Sequence, residues 1–148
     1  MKIHSKLTRT VLLCLVALVV VVADYYKNND SELQPGRDES SQIEQAFLNK
    51  QQSVQVTGSG TVVKLLPDDL DGSRHQKFIV KISENFTILI AHNIDLAPKI
   101  TDLHQGDQIG FSGEYEFNNR GGVVHWTHHD PARQHPDGWL EHNGTMYK

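Results

Sequence analysis

Nine histidines occur in the 148-residue chain, and five of them, His125, His128, His129, His135 and His142, fall in the single stretch HWTHHDPARQHPDGWLEH. Imidazole is the commonest protein metal ligand and the one side chain whose unperturbed pKa lies near neutrality, so such a cluster supplies metal sites or acid–base groups. On an extended strand His125, Thr127 and His129 share one face, and Trp126 and His128 share the other. One centre can therefore use them all only if the strand ends near His128. Asp130 follows directly and suits a carboxylate that orients an imidazole or completes a metal site. Trp126 and Trp139 offer a stacking wall for a sugar, a base or an apolar ligand, and equally a pair of half-buried core residues.

The spacing carries no HExxH and no cysteine pair, the usual zinc signatures. His128-His129 with Asn143 downstream is similar to metal nucleases of His-Asn-His type, but the final helix and its histidine have no counterpart after Asn143. Asp68, Asp69 and Asp71 before Gly72 lack the ligand pattern of a calcium loop and suit an acidic turn. Asn85-Phe86-Thr87 and Asn143-Gly144-Thr145 match the glycosylation sequon, which matters only in a eukaryotic secretory route. Phosphate loops, nucleophile elbows and kinase signatures are missing.

The elements that must position these residues follow from hydropathy patterning. Residues 1–23 have the layout of a secretory signal peptide: Lys2, Lys6 and Arg9 precede an apolar run over 11–23, with Val21 and Ala23 small enough for cleavage. Retention as a membrane anchor is the alternative, although the run is shorter than the roughly 20 residues a spanning helix needs. Cys14 follows Leu13 rather than a small residue, so a lipoprotein signal does not fit. As Cys14 is the only cysteine, the mature chain has no thiol chemistry and tolerates an oxidising compartment. Removing three of 14 basic residues leaves 11 against 18 acidic ones, a net charge of −7 that argues against nucleic acid as a partner.

Residues 24–50 form a polar linker with a short helix expected over 41–50, where Ser41 stands as cap above Glu44. From residue 51 to 148 the pattern turns to period two. It predicts a long first strand bent at Gly58-Ser59-Gly60, a hairpin of strands over 75–82 and 86–92, a helical or turn-rich connection over 94–107, a fourth strand over 107–117 and a fifth over 123–128. Five strands in this plan match a small, mainly β, OB-like barrel, with a small sandwich as the alternative. In the barrel, the start of strand two, the end of strand three and the end of strand five meet at one end. That brings His75 and His92 to His125 and His128.

The strings LLPDD, GSRHQKFIV, LIAHNIDLAP, GEYEFN, GGVVHWTHHDP and GWLEHNG resemble a bacterial family of exported proteins catalogued as domain of unknown function 3465. The resemblance covers roughly residues 54–147 and includes His75, His92, His125, His128, His129, Asp130, His135 and Trp139. It implies a periplasmic or secreted bacterial protein and supplies no activity. The residues themselves favour a binding module for a divalent metal, zinc, manganese or nickel, or a small polar ligand, held by His75, His92, His125 and His128 with Asp130 as orienting partner. A metal-dependent hydrolase of phosphoesters or another envelope substrate is the rival, and a structural or protein-interaction module is the third reading.

Overall fold

Alternation of apolar and polar residues, the pattern of a strand with one buried face, becomes seven strands among the described residues of the computed structural model, with a helix leading into them. The structure describes residues 18–20 and 35–148. Apart from 18–20, the expected signal peptide and the first part of the linker lie outside the described residues. Helix α1 (Pro35–Leu48) starts earlier than expected, inside the stretch assigned to linker, so Ser41 falls within the helix rather than at its cap. Proline opens it at a position whose N–H has no helical partner in any case. Its Ile43 and Ala46 are buried, and it packs on the first strand.

The strands are β1 (Val54–Leu65), β2 (His75–Ser83), β3 (Phe86–Asn93), β4 (Gln108–Glu116), β5 (Val123–His125), β6 (Trp139–His142) and β7 (Thr145–Tyr147). Antiparallel pairs β1–β2, β2–β3, β4–β5 and β1–β4, with the parallel pair β3–β5, close a five-stranded barrel in the expected OB-like order. β1 serves both ends of the closure, pairing with β4 through Thr61 and with β2 from Thr61 onward. Its register slips between Val62 and Lys64, just beyond the glycines where a bend was expected. Val56, Val62, Phe78, Val80, Ile88, Ile90, Phe111, Tyr115 and Val124 fill the interior, all essentially inaccessible to solvent. Burying side chains of this size contributes about 1.5–3 kcal/mol each, which makes the interior the main source of stability.

The two ends of the barrel close differently. At one, Phe47 of α1 packs on Phe86 and Phe117 at ring separations of 5.3 and 5.5 Å. At the other, residues 94–107 lie across the opening and bury Ala97, Ile100 and Leu103. This connection contains turns and no helix. Side chains take over its backbone partners: the Gln76 amide donates to Ile100 O (2.8 Å) and accepts from Ile100 N–H (3.0 Å), and His92 reaches Pro98 O. Pro98 itself has no N–H to give a helix.

Beyond the barrel, β6 and β7 form a terminal hairpin, and β6 continues along the edge of β4 that β5 leaves. Glu114, Tyr115 and Glu116 pair with β5, while Ile109 to Ser112 pair with β6. Residues 126–138 leave the sheet between these two short strands as a loop. β5 thus ends at His125, earlier than the expected end at His128, because Trp126 takes φ of 52°. The neck is tight. A Cβ on Gly138 would lie 1.9 Å from Trp126 O, and one on Gly113 2.3 Å from His125 O. Gly138 N–H donates to His128 O at 2.9 Å across the neck.

Gly138→Ala is therefore expected to destabilise the fold by about 2–3 kcal/mol and to lower the thermal midpoint by about 10 °C, since backbone rather than a movable side chain blocks the methyl group. Circular dichroism melts of parent and variant check this. A midpoint within about 3 °C of the parent would show that the neck yields.

Candidate functional site

Strand parity decides which histidines meet. On β2, Gln76, Phe78 and Val80 point inward, which turns His75 outward; on β3, Ile88, Ile90 and His92 point inward. Val124 and Tyr115 point inward on β5 and β4, so His125, Glu114 and Glu116 stand on the outer face. A cleft of about 330 Å³ opens there, lined by Ser73, His75, Asn93, His125, Trp126 and His128 together with the apolar Leu96. Of the four histidines expected to share a pocket, His75, His125 and His128 line this cleft on the outer surface of the barrel.

His92 lies behind this cleft and not in it. It is fully buried, with Nδ1 2.9 Å from Thr127 Oγ1 and Nε2 3.1 Å from Pro98 O. A carbonyl can only accept, so Nε2 carries the proton and Nδ1 accepts from the threonine hydroxyl. Neither nitrogen is left to bind a ligand. Burial pushes the His92 pKa down to about 4, aided by the nearby His128 and His75 and opposed by the bond to Pro98.

His128 is also nearly inaccessible, and its Nδ1–H donates to His129 O at 2.7 Å. Its Nε2 then presents a lone pair, the tautomer that a backbone carbonyl commonly fixes in metal-binding histidines.

The outer face brings His125 against two carboxylates. β4 and β5 pair so that Glu114 sits opposite His125 and Glu116 opposite Val123. One ligand atom each from Glu114, Glu116 and His125 lies within 4.8 Å of the others. His125 Nε2 is 3.8 Å from Glu114 Oε1, too far for a hydrogen bond. Bonds of about 2.0–2.2 Å to one ion would span that gap. Among the described residues, this nitrogen is also the one buried side-chain polar atom without a hydrogen-bond partner. Burial holds the His125 pKa down against the pull of Glu114 and Glu116.

The remaining candidates build the loop. Asp130 is buried, and its carboxylate accepts from the backbone N–H groups of Ala132 (2.9 Å), Gln134 (2.7 Å) and His135 (2.9 Å). Those bonds, led by that from His135, hold its pKa below the usual carboxylate range. His129 is more than half exposed and meets Asp137 Oδ1 at 2.9 Å, while Asp130 N–H donates to the same oxygen. His135 stacks on Trp126, with ring centroids 3.8 Å apart and planes 16° from parallel, and its Nδ1 is 3.4 Å from Glu114 Oε2. One face of Trp126 is thus covered from within the chain. Trp139 stands on β6 beside Gly110, away from the cleft lining. His142 is buried and bonds Asp107 at 2.9 Å.

Glu114 and Glu116 are the two residues that histidine counting misses. Their signal is in the sequence all the same: both sit on the polar face of the fourth strand, and pairing outward from the Asn118-Asn-Arg-Gly-Gly122 turn sets Glu114 opposite His125.

Protonation of His92 tests its burial. The folded pKa is about 4 against an ordinary 6.5, so between these values the unfolded chain takes up a proton that the folded chain refuses. Stability is complete above pH 6.5 and falls as pH drops toward 4, by about 3 kcal/mol from this residue at roughly 1.4 kcal/mol per pH unit. Urea unfolding at pH 7.5 and 4.5 is expected to show a smaller pH-dependent loss in His92→Gln than in the parent, whatever the variant's own baseline. Equal losses in the two proteins would refute the assignment.

No curated protein is significantly similar to the chain. The family model described as "Protein of unknown function (DUF3465)" matches residues 27–148, which include helix α1, the whole barrel, the loop and the terminal hairpin. With most of its length covered by that match, the chain belongs to the DUF3465 family.

Proposed function

We propose that this protein is an OB-like binding module that holds a divalent ion, zinc, manganese or nickel, between Glu114, Glu116 and His125, beside a cleft for a small polar ligand. The observation that carries the reading is the buried His125 Nε2, which has no hydrogen-bond partner and lies 3.8 Å from a carboxylate oxygen. An unpaired buried nitrogen costs about 1–3 kcal/mol, and two neighbouring carboxylates repel each other. A cation relieves both. One imidazole and two carboxylates form a donor set that such ions accept. The ligand set differs from the four histidines expected from sequence, since His92 is spent on Pro98 and Thr127.

A hydrolase is the second reading. Three protein ligands leave coordination positions open for water, and the His128 lone pair in the adjoining cleft would serve as a base. Export to the periplasm or medium goes with both readings, on the strength of the N-terminal segment and the absence of cysteine after Cys14.

Metal analysis of tag-free full-length protein tests the site. About one ion per chain is expected in the parent, with affinity weakened at least about 100-fold in Glu114→Gln and in His125→Ala, given that loss of even a supporting residue costs 10–100-fold. Metal at background level in the parent overturns the proposal. Turnover of generic phosphodiester or ester substrates that disappears in His128→Ala moves the hydrolase ahead of the binding module.

A further inference from the structure

The cleft beside the acidic cluster has a donor pattern of its own. Its polar lining consists of Ser73, His75, Asn93, His125, Trp126 and His128, with no carboxylate among them. Asn93 Oδ1 accepts from Asp95 N–H at 2.9 Å, which leaves its amide N–H groups as donors. His75 and Ser73 can each donate as well as accept. His125 becomes one as well when Nε2 binds an ion, because the ring proton must then sit on Nδ1. His128 is the exception. Its Nδ1–H is given to His129 O, so its Nε2 accepts.

Groups able to donate around one group fixed as acceptor suit a ligand that is mostly acceptor but keeps a single proton. Apart from His125, these side chains lie outside the one cluster among the described residues that is tight enough for a bare ion, which points to a polyatomic occupant. We infer that the cleft binds hydrogen phosphate, whose one O–H donates to His128 Nε2 while its other oxygens accept from His75, Asn93 and Ser73. Inorganic phosphate keeps that proton above pH 7. A phosphate monoester has largely lost it, its second pKa being about 6, and sulfate has none. The inference rests on the metal reading, because Glu114 and Glu116 stand behind His125 and repel an anion until a cation neutralises them.

The experiment is calorimetric titration of zinc-loaded, tag-free full-length protein at pH 7.5 with inorganic phosphate, methyl phosphate and sulfate. His75→Ala and His128→Ala are run alongside, and zinc content is measured on the same samples. Phosphate is expected to bind at least tenfold more tightly than methyl phosphate or sulfate. His75→Ala is expected to weaken phosphate at least tenfold, and His128→Ala to abolish the preference for phosphate over sulfate. Removing zinc with a chelator is expected to weaken phosphate as well. Zinc uptake without phosphate binding overturns this inference and leaves the metal site standing, whereas failure to take up zinc overturns the metal site. Equal affinity for phosphate and sulfate, methyl phosphate binding as tightly as phosphate, or preference retained in His128→Ala each refute the assigned proton.

Discussion

The edge of β4 that faces away from β1 offers one row of backbone N–H and C=O groups, and two strands share it. β5 takes Glu114 to Glu116, β6 takes Ile109 to Ser112, and only Gly113 is left between them. Backbone groups at a buried sheet edge must be paired, so neither strand can lengthen without displacing the other. Residues 126–138 have to leave the sheet at that point. The interior is already filled by Tyr115, Phe111 and Val124, so the only way is outward. His125 is the last residue held by the ladder, and its register opposite Glu114 is fixed by the same pairing. Trp126, next in line, takes the left-handed conformation and turns the chain over the outer face. Loop, cleft and acidic cluster all descend from this one shared edge.

Polar side chains, fully satisfied, hold the end of the barrel next to the site. Gln76, His92 and Thr127 are each buried, and each meets a specific partner. His92 is the junction: through Pro98 it holds the connection over the barrel, and through Thr127 it holds the neck of the loop. A neutral imidazole fits this position because it can donate and accept at the same time, and a charged one would lose the acceptor on which Thr127 depends. An apolar side chain of the same size would fill the space without fixing either segment. The contrast with His125 is the informative one. At His92 the chain satisfies both nitrogens, and at His125 it leaves one buried and bare.

The barrel was legible because its strands alternate cleanly and their order follows from short connections. The histidines were legible only in part, for a reason that lies in strand geometry. His75 and His92 do reach the same end, as the topology requires, but β2 and β3 pair His75 with Asn93 and Gln76 with His92. Paired residues share a face, so His92 goes with Gln76 into the interior and His75 goes outward. The apolar series Ile88, Ile90 already carries that information, since His92 has the same parity. Asn143-Gly144, with φ of 50° and 74°, is a hairpin signal of the usual kind, and it makes the β6–β7 turn. Asp130 was not legible in its actual role. Its partners are backbone amides of an irregular loop, which have no periodicity in sequence.

Glu114 joins the two halves of the site. One carboxylate oxygen faces His125 at 3.8 Å, and the other faces His135 of the loop at 3.4 Å. An ion drawing on the first oxygen leaves the second to His135, so the carboxylate then bridges ion and loop. His135 in turn lies flat on Trp126, whose other contacts define the cleft. Binding of the proposed ion would stabilise this arrangement, because binding to the folded state alone stabilises that state by mass action. For the proposed ion the coupling would also run in reverse: whatever orders the loop would strengthen the ion's hold by the same factor. Asp130, by gathering the loop's amides from within, would then support the proposed ion without touching it.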